Sequence, residues 1–178
     1  MTTLTTLTTE RLTMQQLTAE DWPLFLRLYQ DPLVTEFMTD KASEEEIYQL
    51  FTSRLPTWNK HASHWLCLVI REKSTGAAVG LTGLLAGWSP FQQAEVGFLL
   101  LPEFQRRGYG GESLHAVCDF ALGECGFHRL NAAVTEGNVA SRRTLEKCGF
   151  QLEGTLRESY QLGGIWRNDW VFGRLAGE

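Results

Sequence analysis

The stretch Gln105-Arg106-Arg107-Gly108-Tyr109-Gly110 decides how this chain is read. It comes after Glu95-Val96-Gly97-Phe98-Leu99-Leu100-Leu101, a segment closed by Pro102, and it precedes apolar residues at Leu114, Val117, Cys118, Ala121, Leu122 and Cys125. The first segment is apolar on both faces, as a central strand covered by helices should be. The second repeats at helical spacing and predicts an amphipathic helix ended by Gly126. The loop between them therefore opens a helix. A helix N-terminus offers unpaired backbone N–H groups and about half a positive charge, so an anion placed there is held by the backbone itself. Glycines at 108, 110 and 111 let that backbone approach a ligand closely, and two arginines add attraction for phosphate. The loop reads as a pyrophosphate site.

Working outward, Glu10–Leu17 alternates as a first strand, and Thr18 opens a helix whose buried stripe is Leu24, Phe25, Leu28 and Tyr29. Pro23 sits awkwardly in it unless the start shifts to Asp21. Ser43 with Glu46 forms a capping box before Ile47, Leu50, Phe51 and Leu55. Trp65–Ile70 and Ala77–Leu85 make a hairpin. After the long helix, Leu130–Thr135 is a short strand, and a strand–helix–strand unit of this length implies a parallel crossover. Asn138 caps a further helix that stops at Gly149-Phe150, and Leu152–Leu162 with Ile165–Phe172 form a terminal hairpin around Gly163-Gly164.

Two motifs in this order, the glycine loop and Asn138-Val139-Ala140-Ser141 running through Leu145 to Gly149-Phe150, resemble the GNAT superfamily of acetyl-CoA-dependent N-acetyltransferases. The resemblance extends along nearly the whole chain. It implies an α/β GNAT fold, a mixed sheet of about seven strands flanked by about four helices. Thr9-Glu10-Arg11-Leu12, Ala94-Glu95-Val96-Gly97 and Gly164-Ile165-Trp166-Arg167-Asn168-Asp169 look like the RimJ/RimL branch, whose members acetylate the N-terminal amines of ribosomal proteins. The resemblance implies an acetyl-CoA-dependent transfer to a primary amine in a ternary complex, with a protein N-terminus as acceptor. A small amine such as a polyamine, an amino acid derivative or an aminoglycoside is the alternative acceptor, and a non-catalytic acyl-CoA sensor is the alternative of another class.

Composition is consistent with this. The chain has 178 residues, enough for one domain with a proper core, 43% of them apolar and 21% charged. Residues 1–178 are expected to form a single domain, with 1–9 a loose tail lacking the features of a secretory signal. No stretch has the length of a membrane span. The formal net charge of −5 argues against nucleic acid as a partner. Cys67, Cys118, Cys125 and Cys148 show no metal or redox spacing and read as structural thiols of a cytoplasmic protein, a monomer or homodimer without a metal.

The resemblance assigns the coenzyme to Phe98, Leu99, Leu100, Gln105, Arg106, Arg107, Gly108, Tyr109, Gly110, Gly111, Asn138 and Arg143, with Arg142 a further candidate for the 3′-phosphate. Acetyl transfer needs a base for the amine, donors for the oxyanion and a proton for the thiolate. Glu95 matches the carboxylate that many members place on the central strand, and backbone N–H groups near Leu99 and Leu100 match the oxyanion donors. The tyrosine that many members use as acid is replaced by Leu145, which leaves Ser141 as the expected acid, although a serine there also suits a helix cap. Some RimL-type enzymes carry a glutamate where Tyr160 stands, and Glu158, two residues away on the expected same face, is the reserve base. Trp58, Trp88, Trp166 and Trp170 are candidates for an acceptor groove.

Overall fold

Strands β3 (Leu66–Glu72) and β4 (Ala78–Gly87) form because their residues suit a sheet covered on both sides. In β3, Leu66, Leu68 and Ile70 enter one core, whereas Cys67 and Val69 enter another. A computed structural model describes residues 5–178 and shows what fills each side. On one face lie α1 (Trp22–Gln30), the short α2 (Pro32–Thr35) and α3 (Glu44–Ser53), which supply Phe25, Leu28, Ile47 and Phe51. On the other lies α4 (Tyr109–Asp119), with Leu114, Val117 and Cys118, together with α5 (Val139–Lys147) and its Leu145.

The remaining strands are β1 (Thr6–Thr8), β2 (Leu12–Gln16), β5 (Gln93–Leu100), β6 (Arg129–Thr135), β7 (Gln151–Leu162) and β8 (Ile165–Leu175). They join one eight-stranded sheet in the order β1-β2-β3-β4-β5-β6-β8-β7. Only β5 and β6 run parallel, connected through α4 as the crossover pattern predicts. The fold is thus the expected mixed α/β sandwich, with eight strands and five α-helices among the described residues in place of about seven and four.

The eighth strand corrects the expectation of a loose tail. Thr6, Leu7 and Thr8 pair with Gln15, Met14 and Thr13 at the sheet edge, where β-branched threonine is favoured and half the side chains meet water. The rest of that tail, residues 1–4, lies outside the described residues. Pro23 causes no break, because Ala19–Asp21 form a separate 3₁₀ turn and Pro23 falls in the first turn of α1, where no N–H is needed. Helix α5 ends as its sequence predicts. Gly149 adopts φ +86°, and the Phe150 N–H folds back to the Leu145 carbonyl at 3.1 Å.

Candidate active site

The register of β5 creates the site. Its edge toward β4 is paired throughout, from Gln93 opposite Gly87 to Leu100 opposite Gly80. Its edge toward β6 is paired only at Gln93, Ala94 and Glu95. Beyond Glu95 the two parallel strands part, since β6 keeps to β8 for its whole length. A cleft of ≈ 1260 Å³ occupies the split, lined by the far half of β5, the end of β6, the N-termini of α4 and α5, and the segment from Tyr29 to Met38.

Backbone alternation decides which groups of β5 face the cleft. The Leu99 carbonyl points at β4, so that a Cβ on Gly80 would stand 2.0 Å from it. The Leu101 N–H also points there, donating to the Val79 carbonyl at 2.9 Å. The Leu100 N–H and carbonyl therefore face the split, and that carbonyl accepts Gln105 Nε2 at 3.1 Å. Phe98 shares their phase, because the Gly97 carbonyl beneath it accepts Thr82 Oγ1 on the β4 side. The donors open to the cleft are thus Phe98 and Leu100. Leu99, expected to offer its N–H there, turns it toward β4, and Leu101 is core at 2% exposure.

At the start of α4 the first intrahelical bond runs from Glu112 N–H to the Gly108 carbonyl, which leaves the N–H groups of Tyr109, Gly110 and Gly111 free. Gly108 sits at φ +81°, a left-handed conformation that glycine adopts at little cost, and Arg106 at φ +63°. Arg106, Gly108, Gly110 and Gly111 line the cleft. A Cβ at Gly111 would meet nothing within 4 Å, and one at Gly110 would face Leu100 Cδ1 at 3.5 Å and Thr144 Cγ2 at 3.7 Å. An anion with flexible linkages fits this cradle. Two expected members do not reach it with their side chains. Arg107 lies over the Phe104 ring at 5.2 Å and 3.7 Å from Glu72. Tyr109 is buried, its hydroxyl donating to Glu72 Oε2 at 2.5 Å. That bond holds the Glu72 carboxyl below its ordinary range and pushes the Tyr109 phenol up.

Across the split, Asn138 caps α5 by accepting the Ser141 N–H on Oδ1 at 3.3 Å. The Ser141 hydroxyl makes no hydrogen bond among the described residues and lines the cleft, so the cap leaves it available. Arg143 also lines the cleft, whereas Arg142 pairs with Glu146 at 2.9 Å and lies 4.7 Å over the Trp170 ring. Glu95 stands where β5 and β6 part. It is half-buried with no hydrogen-bond or ion-pair partner among the described residues, and burial pushes its carboxyl above the ordinary range.

Other expectations fail on geometry. Glu158 occupies a bulge between Leu156 and Tyr160 with φ +48°, its N–H bonded to Asn168 Oδ1 at 2.8 Å. The bulge breaks the two-residue alternation, so Tyr160 lines the cleft and Glu158 does not. None of Trp58, Trp88, Trp166 and Trp170 walls the cleft; Trp65 does. Sequence reasoning also missed the wall formed by Phe37, Thr135 and Tyr160. The Phe37 carbonyl there accepts the Thr135 hydroxyl at 2.8 Å, and the Tyr160 hydroxyl, 3.4 Å from that carbonyl, donates to Thr135 Oγ1. Arg54 donates to Tyr29 Oη at 3.2 Å and stacks near Phe25, Tyr29 and Trp65.

Cys67 lines the cleft too, yet is 3% exposed, and burial pushes its thiol up to about 11. Such a thiol is protonated at neutral pH and, as it stands, a poor nucleophile.

The parted strand pair lies beside a helix start with unpaired N–H groups, and comparison with known proteins gives the family of this fold. Residues 11–151 match the family model described as acetyltransferase (GNAT) domain. An uncharacterized N-acetyltransferase of Bacillus subtilis, YoaA, is 30% identical over 161 residues, covering 88% of this chain and 89% of that one. Among solved structures, spermidine N-acetyltransferase from Vibrio cholerae in complex with CoA and spermine superposes with a TM-score of 0.81 at 19% identity, covering 94% and 97% of the two chains. Ribosomal-protein-S5-alanine acetyltransferase from Vibrio fischeri gives 0.80 at 17% identity, covering 98% of each. The chain belongs to the GNAT acetyltransferases, and its chemistry is acetyl transfer. No helix among the described residues is long and apolar enough to cross a membrane.

Proposed function

We propose that this protein is a cytoplasmic N-acetyltransferase of the RimJ/RimL type, moving acetyl from acetyl-CoA directly to the N-terminal amine of a protein. The observation that carries this reading is the charge along the cleft. Arg106, Arg143 and Lys147 stand at the end formed by α4 and α5, whereas along the rest the three carboxylates of Glu36, Glu95 and Asp169 outnumber the single cation, Arg54, which donates to Tyr29. An anionic coenzyme suits the first end and a protonated amine the second. Leu33, 68% exposed at the mouth, and Leu156, in register with Asp169, offer apolar ground on which a peptide trailing its amine can rest.

In this reading the free N–H groups of Tyr109, Gly110 and Gly111 hold the pyrophosphate, Gln105 and Arg106 flank it, and Asn138 and the Phe98 and Leu100 backbone meet the pantetheine amides. Glu95 takes the amine proton, its elevated affinity for protons making it a better base than an exposed carboxylate. The amine nitrogen bonds to the acetyl carbon, the oxyanion is met by a backbone N–H of the split strand, and the carbon–sulfur bond breaks. Ser141 hands its hydroxyl proton to the departing thiolate and regains one through water from the acylated nitrogen, which must shed a proton to become the amide; the thiolate's own pKa of about 8 to 9, by analogy with cysteine, makes it a good leaving group. The protonated state of Cys67 favours this direct route over an acetyl-cysteine intermediate.

A second reading, a polyamine acceptor, is favoured by the three carboxylates, which match a substrate with more than one cation. Turnover against a panel of N-terminal peptides and small amines, with mass spectrometry of the products, separates the two. A peptide acetylated only on its α-amine supports the first. A strong preference for spermidine-like amines replaces it with the second, and hydrolysis without transfer to any amine ends both.

A further inference from the structure

Thr9 and Arg11 lie outside the cleft, yet both are tied to its phosphate-facing loop. Arg11 Nε donates to Glu112 Oε1 at 2.7 Å and its backbone N–H to Glu112 Oε2 at 3.0 Å. Thr9 Oγ1 donates to the same oxygen at 2.5 Å. Arg11 Nη1 reaches across to the Arg107 carbonyl at 2.9 Å, and the guanidinium lies 4.5 Å over the Tyr109 ring. Glu112 stands in the first turn of α4, so these contacts grip both the loop and the helix start. A second tie comes from below, where the Tyr109 hydroxyl donates to Glu72. The segment held in this way contains a non-glycine residue in left-handed conformation, Arg106, one position from the loop residue whose carbonyl Arg11 holds. Strained backbone of this kind persists where its surroundings over-determine it.

A single exposed ion pair contributes little to stability, and the Arg11 side chain is 44% exposed. Its value lies instead in geometry, because one planar guanidinium spans a carboxylate and a carbonyl that belong to the two halves of the anion cradle. We propose that Arg11 and Glu112 are positioning residues for the coenzyme: they hold the loop so that the N–H groups of Tyr109, Gly110 and Gly111 converge on the pyrophosphate. The proposal rests on the reading that this helix start takes the pyrophosphate.

The test compares two acetyl donors, acetyl-CoA and S-acetylpantetheine, which has the same thioester and no pyrophosphate. Arg11→Met is expected to raise KM for acetyl-CoA about tenfold, the loss typical of one charge-assisted contact, with kcat at saturation nearly unchanged and kcat/KM for S-acetylpantetheine within about twofold of the parent. Glu112→Gln should act in the same direction, and the double variant should be little worse than Arg11→Met, since both belong to one contact. Should Arg11→Met not fold, Arg11→Lys carries the test, because one ammonium cannot span Glu112 and the Arg107 carbonyl. An unchanged KM for acetyl-CoA, or an equal loss with both donors, overturns the proposal. Gly110→Val separates this from the underlying reading. If Gly110→Val abolishes coenzyme binding while Arg11→Met does nothing, only the positioning role falls; if Gly110→Val binds coenzyme normally, the pyrophosphate reading falls with it.

Discussion

Replacing Glu95 by glutamine removes the charge and keeps the shape, at a residue with no hydrogen-bond or ion-pair partner among the described residues to be orphaned. Two opposite effects are expected. Turnover at neutral pH should fall by on the order of 10² to 10⁴, or about 3–5.5 kcal/mol of barrier, because a positioned base is lost, while acetyl-CoA affinity stays nearly intact. Stability should move the other way. Burial raises the folded-state pKa of Glu95, so the native state resists ionising it: below the unfolded pKa the carboxyl carries no penalty, and as pH rises through the folded pKa the penalty becomes complete. The glutamine variant escapes this, so its Tm should match the parent in acid and meet or exceed it at neutral pH. The pH profile also reports the acceptor. An α-amine titrates near ~8, so the defect should shrink strongly by about pH 9, whereas an alkylamine near ~10.4 would carry it about two units higher. Initial rates of thiol release from about pH 6 to 10 at saturating acetyl-CoA measure both. Parent-like turnover of Glu95→Gln at neutral pH refutes the assignment and leaves water as the base.

Acetyl-CoA at about a hundred times its Kd should add about 2.7 kcal/mol, a rise of roughly 5–11 °C in Tm for a chain of this size, read by a thermal shift assay; no shift at millimolar acetyl-CoA speaks against the coenzyme. Asn138→Ala removes the α5 cap and should cost about 1 kcal/mol in denaturant unfolding while raising KM for acetyl-CoA. Ser141→Ala should lower kcat with no loss of α5 stability, because the Asn138 cap uses the Ser141 backbone N–H and not its hydroxyl; an unchanged kcat returns that serine to the role of a bystander.

The parts of the molecule legible in its sequence are those fixed by local chemistry. The helical spacing of Leu114, Val117 and Cys118, the caps at Ser43 and Asn138, and the terminating Gly149 all act within a turn or two, and each stands where its neighbours imply, whereas α4 ends at Asp119 and Gly126 instead follows a π-helical turn over Phe120–Glu124. The glycine loop is readable for the same reason. What spacing conceals is phase and distance. Whether Leu99 or Phe98 faces the split depends on the register of β5 against β4, and Glu158 leaves its expected face because of one bulge. Arg11 finds Glu112 101 residues away, and the choice of Trp65 over four other tryptophans is made by packing across elements. Thr6–Thr8 forms a strand only because Thr13–Gln15 offers an edge.

The short seam between β5 and β6 gives the molecule a mechanical character of its own. Strands β1 to β5 form one continuous ladder and β6, β8 and β7 another, joined by just three residue pairs. At the open end the halves are fastened again by small latches, the Thr135 hydroxyl on the Phe37 carbonyl and the Gly163 N–H on Asp40. A protein divided in this way carries a short join, no longer than the one that holds its edge strand β1, through its chemical centre. A long molecule lying in the split adds rungs where the chain supplies none, so filling the cleft stitches the two halves into one body. Amide exchange along Val96–Leu100 and Ala132–Thr135 should then slow together on loading, as two edges of one repaired sheet.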